Sequence, residues 1–279
     1  MRYLIILLSM IAGTGIVNAQ DTAGPVKVEF VRSDEGFPML RGGEPYVING
    51  VGREYGDIAA IASYGGNSFR NWTTENAGEI LDEALRHGIT VALCLPVQAE
   101  RWGFDYDDEQ AVQAQLEAMR EEVLKYRDHP ALLAWIIGNE LNFDYRNPRV
   151  YDAVNDISEM IHELDPNHPT TTTVAGLGVN VLDDLRNRAP DLDFYSFQVY
   201  GELANLPQFV RSQNIEKPIW VTEWGPIGHW EMPQTEWGAP IEMTSTEKAD
   251  VYWRLYRENI RPLLGPIVAR RSRAEPRAV

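Results

Sequence analysis

The sequence predicts an α/β fold, a closed (β/α)8 TIM barrel whose eighth βα unit is incomplete or altered. Three observations lead there. From residue 46 onward, short apolar runs alternate with amphipathic stretches, the pattern of repeated βα units around a parallel sheet. Two of the runs, residues 89–97 and 131–138, are almost unbroken apolar, as strands covered on both faces must be. No Gly-x-Gly-x-x-Gly follows the first strand, which argues against an open dinucleotide-binding sheet.

The elements follow in chain order. Residues 1–19 read as a signal peptide: Arg2 supplies the positive start, an apolar run follows, and Val17 and Ala19 stand at the −3 and −1 positions of a cleavage site. The run falls short of the roughly 20 residues a spanning helix needs. The mature chain is expected to begin at Gln20, with no cysteine there to carry a lipid, so the expected location is secreted or periplasmic. Residues 20–45, with alternation from Val26 to Val31 and a turn at Gly42 and Gly43, read as a β lead-in capping the barrel floor. The barrel is expected over 46–268, with strands at 46–50, 67–72, 89–97, 131–138, 170–175, 193–200 and 219–224. A helix over 108–127 carries Val112, Leu116, Met119, Val123 and Tyr126 on one face, and another over 148–164 carries Val150, Val154, Ile157, Ile161 and Leu164. A last helix opens with a Thr244-x-x-Glu247 capping box and lines up Ala249, Tyr252 and Tyr256.

Composition narrows the function. The 279 residues hold 25 Lys plus Arg against 41 Asp plus Glu, a net charge of −16, which repels phosphate backbones and anionic headgroups. Neither nucleic acid nor a membrane is an expected partner, and a neutral ligand fits better. The single cysteine, Cys94, leaves no intramolecular disulfide, and clustered zinc ligands are lacking, so neither metal nor cofactor is expected.

Functional side chains of such a barrel sit where strands end and the following loops begin. Two tips carry glutamate: Trp135-Ile136-Ile137-Gly138-Asn139-Glu140 and Trp220-Val221-Thr222-Glu223-Trp224-Gly225. A carboxylate directly after a buried run needs a partner or a task, because burying it alone is costly. Structural salt bridges are one explanation; catalysis by a facing pair is the other, and glycoside hydrolysis requires such a pair. The long connection 225–243 holds His229, Trp230 and Trp237, and long loops in compact domains are usually functional. Indole faces stack on sugars, so Trp72, Trp102, Trp224 and Trp230 are candidate platforms, Trp224 foremost; simple packing is the alternative for each.

These motifs resemble the retaining β-glycosidases of clan A, most closely the barrel domain of glycoside hydrolase family 2. His129-Pro130 with the apolar run to Gly138-Asn139-Glu140 resembles the acid/base strand, and Lys217-Pro218-Ile219-Trp220-Val221-Thr222-Glu223-Trp224-Gly225 the nucleophile strand. Asn67-Ser68-Phe69-Arg70 is similar to the second strand, whose arginine supports the nucleophile. The resemblance covers residues 41–260. It implies Glu140 as general acid/base, Glu223 as nucleophile with the carboxyls about 5–5.5 Å apart, Asn139 on the sugar 2-hydroxyl, and Tyr200 donating to the nucleophile. Gln198 stands where related families often place histidine or asparagine. The implied partner is a β-linked oligosaccharide or polysaccharide. A transglycosylase on the same site and an inactive carbohydrate-binding remnant are the alternatives.

After residue 260 the resemblance implies an eighth strand ending in tryptophan, but the last 19 residues hold five arginines, one glutamate and no tryptophan. One explanation is a short strand at 263–268 followed by a basic, disordered tail at 269–279. The other is a shifted reading frame or a truncated gene. Translating the coding DNA beyond residue 260 in the other two frames should recover a barrel strand and helix; finding neither leaves the basic tail as the explanation.

Overall fold

The computed structural model describes residues 24–264 apart from residue 35. The expected signal peptide and the basic tail lie outside the described residues. The chain opens with an antiparallel sheet of β1 (Val28–Phe30), β2 (Met39–Arg41) and β3 (Glu44–Pro45), with Val28 opposite Arg41 and Phe30 opposite Met39. This sheet docks on the ends where the barrel strands begin. The Val28 N–H donates to Asn167 O at 2.7 Å, and Arg41 Nη2 to Pro130 O at 2.6 Å. Apolar contact completes the joint: Val28 and Met39 pack on Leu133, and Phe30 meets Phe194 and Trp220 at ring distances of 5.2 and 6.1 Å.

Parallel strands follow, with crossover helices between successive barrel strands. They are β4 (Gly50–Gly52), β5 (Ser68–Arg70), β6 (Thr90–Leu95), β7 (Leu132–Ile137), β8 (Thr170–Thr171), β9 (Thr173–Ala175), β10 (Tyr195–Val199) and β11 (Ile219–Trp224). β4 to β8 form one sheet in chain order, and β9 to β11 form another. Only Thr172 separates β8 from β9, so the two halves make a single fifth barrel strand and β11 is the seventh. β6 and β7 are buried along their whole length, as their apolar runs require.

The first strand lies later than residues 46–50. The Asn67 side chain takes the backbone groups of that stretch, accepting from Asn49 N–H and donating to Val47 O, both at 2.8 Å, so ladder pairing begins only at Gly50.

The helices are α1 (Ile58–Ser63), α2 (Ala77–Arg86), α3 (Glu109–Tyr126), α4 (Arg149–Leu164), α5 (Val179–Arg188), α6 (Leu206–Ser212) and α7 (Ser245–Leu255). α3 is capped by the Asp108 carboxylate, which accepts from Gln110 and Ala111 N–H. Its stripe turns inward, with Met119 and Val123 buried and Val112, Leu116 and Tyr126 packed against the core. In α4, Val150, Val154, Ile157 and Ile161 are buried.

α7 departs from expectation. Its capping box forms, but none of its residues is buried; Ala249 is exposed, Tyr252 lies against Trp224, and Leu255 makes the contact with the core. The helix runs on through a π turn, Tyr256–Ile260, and a 3-10 turn, Arg261–Leu264. Leu263 and Leu264, expected to begin an eighth strand, therefore belong to a helical turn. Pro262, with φ held near −65°, suits that conformation. The rest of the expected strand is outside the described residues. Among the described residues no strand hydrogen-bonds the outer edge of β11, and its side chains stay partly exposed where those of β7 are buried. A cavity of about 890 Å³ runs beside β4 and β11 from Phe37 and Met39 on the lead-in sheet to Trp72, Tyr200 and Glu223 at the strand tips.

One buried network pins the floor. Asp165 accepts from Trp135 Nε1 at 2.8 Å and from Asn167 N–H at 3.0 Å, and pairs with His168 Nδ1 at 2.8 Å. Trp135→Phe leaves that carboxylate one donor short inside the protein and is expected to cost about 1–3 kcal/mol, read as a lowered urea midpoint at constant slope.

Candidate active site

The tip of β7 has an uncommon backbone. Gly138 has φ of +75° and Glu140 has φ of +49°, a left-handed conformation that a residue with a Cβ rarely holds without support. A Cβ on residue 138 would sit 2.8 Å from Leu141 Cδ1, so glycine is required there. Glu140 is held from both sides: its N–H donates to Thr173 Oγ1 at 3.0 Å, and Arg101 donates to its carbonyl and, at 3.3 Å, to that of Asn139.

The tip of β11 is aimed by a bulge. Phe197 pairs with Val221, but Gln198 pairs with Glu223, leaving Thr222 as the extra residue. Four donors then converge on Glu223. Oε1 accepts from Arg70 Nη1 at 2.9 Å, Gln198 Nε2 at 3.0 Å and Trp72 Nε1 at 3.2 Å, and Oε2 accepts from the Tyr200 hydroxyl at 2.8 Å. A carboxylate, an acceptor at both oxygens, satisfies all four.

Arg70 joins the two tips. Its side chain is 4% exposed, donates to Glu223 and, through Nη2, to Asn139 Oδ1 at 2.8 Å, and lies 4.6 Å from the centroid of the Trp72 ring. Trp72 in turn lies against Gly52 of β4, where a Cβ would come within 2.7 Å of the indole. Asn139 Oδ1 also accepts from Gln198 Nε2 at 3.0 Å and Thr173 Oγ1 at 3.2 Å, so the NH2 is what this amide can offer a ligand.

The protonation preferences differ around this network. Burial raises the Glu140 pKa above the ordinary carboxylate value, and the negative charge of Glu223 adds to the rise; Arg101 and Arg70 oppose it. Burial and the hydrogen bond to Glu223 also push the Tyr200 hydroxyl up, which keeps it a donor. Cys94, buried inside β6, is pushed up to about 11 by desolvation and stays a thiol.

The fold thus gathers Arg70, Trp72, Asn139, Tyr200 and Glu223 into one hydrogen-bonded cluster beside Glu140. Trp72 is part of the cluster itself and not only a face against which a ring could rest. Trp224 is half-buried against Tyr252, ring centroids 5.5 Å apart, and Trp230 stands on the rim, 59% exposed and edge-on to Tyr200. Sequence reasoning missed Arg101 and Thr173, although both follow or belong to strand ends of the same face, and it left the Gln198 contacts open. Among the described residues no group of three or more His, Cys, Asp or Glu could hold a metal ion, and no helix is long and apolar enough to cross a membrane.

Comparison with known proteins agrees with this architecture. The family described as glycosyl hydrolases family 2, TIM barrel domain, matches residues 57–232. Mannan endo-1,4-beta-mannosidase F of Aspergillus clavatus is 29% identical over 158 residues, covering 47% of this chain and 36% of that protein. Beta-glucuronidase of Streptococcus agalactiae is 25% identical over 215 residues, covering 64% of this chain and 35% of that protein. Among solved structures, a beta-glucuronidase of Bacteroides uniformis superposes with a TM-score of 0.63 at 16% identity, covering 82% of this chain and 30% of that one. A beta-glucuronidase of an uncultured Clostridium gives a TM-score of 0.59 at 18% identity, with 84% and 44% covered. These structural likenesses establish the shared barrel fold. The chain matches less than half the length of each of these relatives.

The Arg70–Glu223 pair is expected to couple strongly. Arg70→Met strands a largely buried carboxylate and should destabilise the protein by about 3–5 kcal/mol. With Glu223→Gln already present the same change should cost at least about 1 kcal/mol less, read from the four urea-unfolding curves of the double-mutant cycle.

Proposed function

Since the chain belongs to glycosyl hydrolases family 2 through its TIM barrel domain, we propose that it is a β-glycosidase that hydrolyses a β-linked oligosaccharide or polysaccharide by double displacement. Glu140 is the general acid/base and Glu223 the nucleophile in this reading. The observation that carries it is the asymmetry between the two carboxyls: four donors surround Glu223, while burial and a neighbouring negative charge favour the protonated form of Glu140.

The chemistry follows from those positions. Glu223 Oε1 is taken by Arg70, Gln198 and Trp72, so Oε2, with Tyr200 as its single donor, is the oxygen that attacks the anomeric carbon. As that bond forms, the glycosidic bond breaks and Glu140 passes its proton to the leaving oxygen. Glu140, now ionised, takes a proton from water; the resulting hydroxide equivalent displaces Glu223 and returns the site to its first state. The Asn139 NH2 donates to a hydroxyl next to the reacting carbon. Arg70 and Arg101 are both spent on protein acceptors, which favours a neutral sugar, and the similarity to a protein named as a mannan endo-1,4-beta-mannosidase favours a mannan-type chain. Export with cleavage before Gln20 belongs to the same reading and is checked by the mass of the exported chain.

The deciding experiment assays a panel of aryl β-glycosides with the mature protein, Glu140→Gln and Glu223→Gln. Both substitutions should lower turnover, Glu140→Gln by about 10²–10⁴-fold; a Glu223→Gln variant as active as the parent sinks the proposal. The pH profile adds a signed test. The acid must be protonated to act, so kcat/KM should fall as pH rises through the raised Glu140 pKa, with that limb above the ordinary carboxylate range and absent from Glu140→Gln.

A further inference from the structure

The loops that follow β6 and β7 are clasped to one another by two adjacent residues of opposite charge. Glu100 Oε2 accepts the backbone N–H groups of Arg146 at 2.6 Å and Asn147 at 3.0 Å. Arg101 donates to the carbonyls of Glu140 and Asn139. A third tie lies within the second loop, where Phe143 N–H donates to Glu140 O at 3.0 Å. The backbone beneath the acid/base candidate is thereby anchored to the loop after β6.

Two large aromatic side chains stand on this anchored surface. Trp102 is 75% exposed and Phe143 is 54% exposed, and the Arg101 guanidinium lies between them, 5.5 Å from one ring centroid and 5.8 Å from the other. Leaving such area in water forgoes about 25 cal/mol for each square ångström that burial would remove. Arg101 donates from Nη1 and Nη2 to the two backbone carbonyls, which holds its guanidinium within reach of both rings.

The position of this surface relative to the two glutamates gives it a task. β6 is the third barrel strand and β11 the seventh, so the loop after β6 lies across the mouth from Glu223, with Glu140 on the fourth strand beside that loop. In a double displacement the sugar being transferred sits over the nucleophile, and the leaving oxygen sits at the acid. Whatever continues from that oxygen passes onto the loops after β6 and β7.

We propose that Trp102 and Phe143, with Arg101 fixed between them, form a binding platform for the leaving-group side of the substrate, and that it takes a neutral pyranose ring of a β-linked chain. The proposal rests on the glycosidase reading above and extends it. Trp230, in the loop after β11, stands edge-on to Tyr200 at 5.5 Å, on the nucleophile's side of the mouth and away from this platform.

The test compares two substrates of the sugar that the aryl panel selects. One is the β-glycosyl fluoride, whose leaving group is a single ion with nothing to rest on the platform. The other is the β-1,4-linked hexasaccharide, mannohexaose for a mannosidase. Trp102→Ala/Phe143→Ala should lower the ratio of kcat/KM for hexasaccharide over fluoride by about tenfold or more, mostly through KM. Trp102→Tyr/Phe143→Tyr, which keeps aromatic faces, should return the ratio to within about threefold of the parent. An unchanged ratio overturns the platform, and so does an equal fall on both substrates, which would mean that the residues act through Glu140 or the fold. If the parent turns over no glycoside, the glycosidase reading itself fails, and tryptophan fluorescence titrated with mannohexaose decides the platform alone. A saturable change absent from the double alanine variant upholds it; no change in the parent overturns it.

Discussion

The Arg70 guanidinium is the joint on which the site depends. It reaches from the second barrel strand to Glu223 on the seventh and to Asn139 after the fourth, and it does so almost wholly out of water. Desolvating a guanidinium is expensive, and only well-placed acceptors offset the cost. Here two acceptors on different strands meet one planar fork of donors, so the geometry of each tip constrains the other. Gln198 repeats the link from the sixth strand, bridging the same two acceptors with a neutral amide that no change of pH within the stable range will ionise.

Backbone irregularity supplies what regular strands cannot. A regular strand alternates its side chains strictly from one face to the other, and extra residues are the means of changing that phase. The bulge at Thr222 places Glu223 beside Gln198, and the left-handed turn from Gly138 to Glu140 brings the second carboxyl round after the strand has ended. Both features persist because side chains from other strands and the loops after them hold them: Thr173 and Arg101 at one tip, Arg70, Trp72 and Tyr200 at the other. The same ties concentrate four donors on Glu223, while at Glu140 burial and the neighbouring carboxylate outweigh Arg101 and Arg70 and raise its pKa.

The core is unevenly distributed around the barrel. β6 and β7, sheltered by α3 and α4, are fully buried, whereas β11 and the lightly packed α7 border a long cavity that continues to the strand tips. The site therefore has one wall where the loops after β6 and β7 are hydrogen-bonded to one another beside Glu140, and one more open wall beside Glu223.

Much of this was legible in the linear order of residues. Unbroken apolar runs marked the buried strands, the stripes through Val123 and Ile157 marked the helices, and glutamates after Gly138 and Thr222 stood out because a charge at the end of a buried run has to be explained. Periodicity and burial cost are local properties, and a sequence carries them directly. The late start of β4 was not legible, because the Asn67 amide that captures the preceding backbone is a non-local partner. Nor was the place of Arg101, whose value lies in reaching carbonyls 38 and 39 residues away. What the sequence determined by itself was where the buried strands and the striped helices lie and which polar groups need partners. Only the tertiary structure decided which partners they have, because donors and acceptors far apart in the chain become neighbours only when the strands are laid side by side.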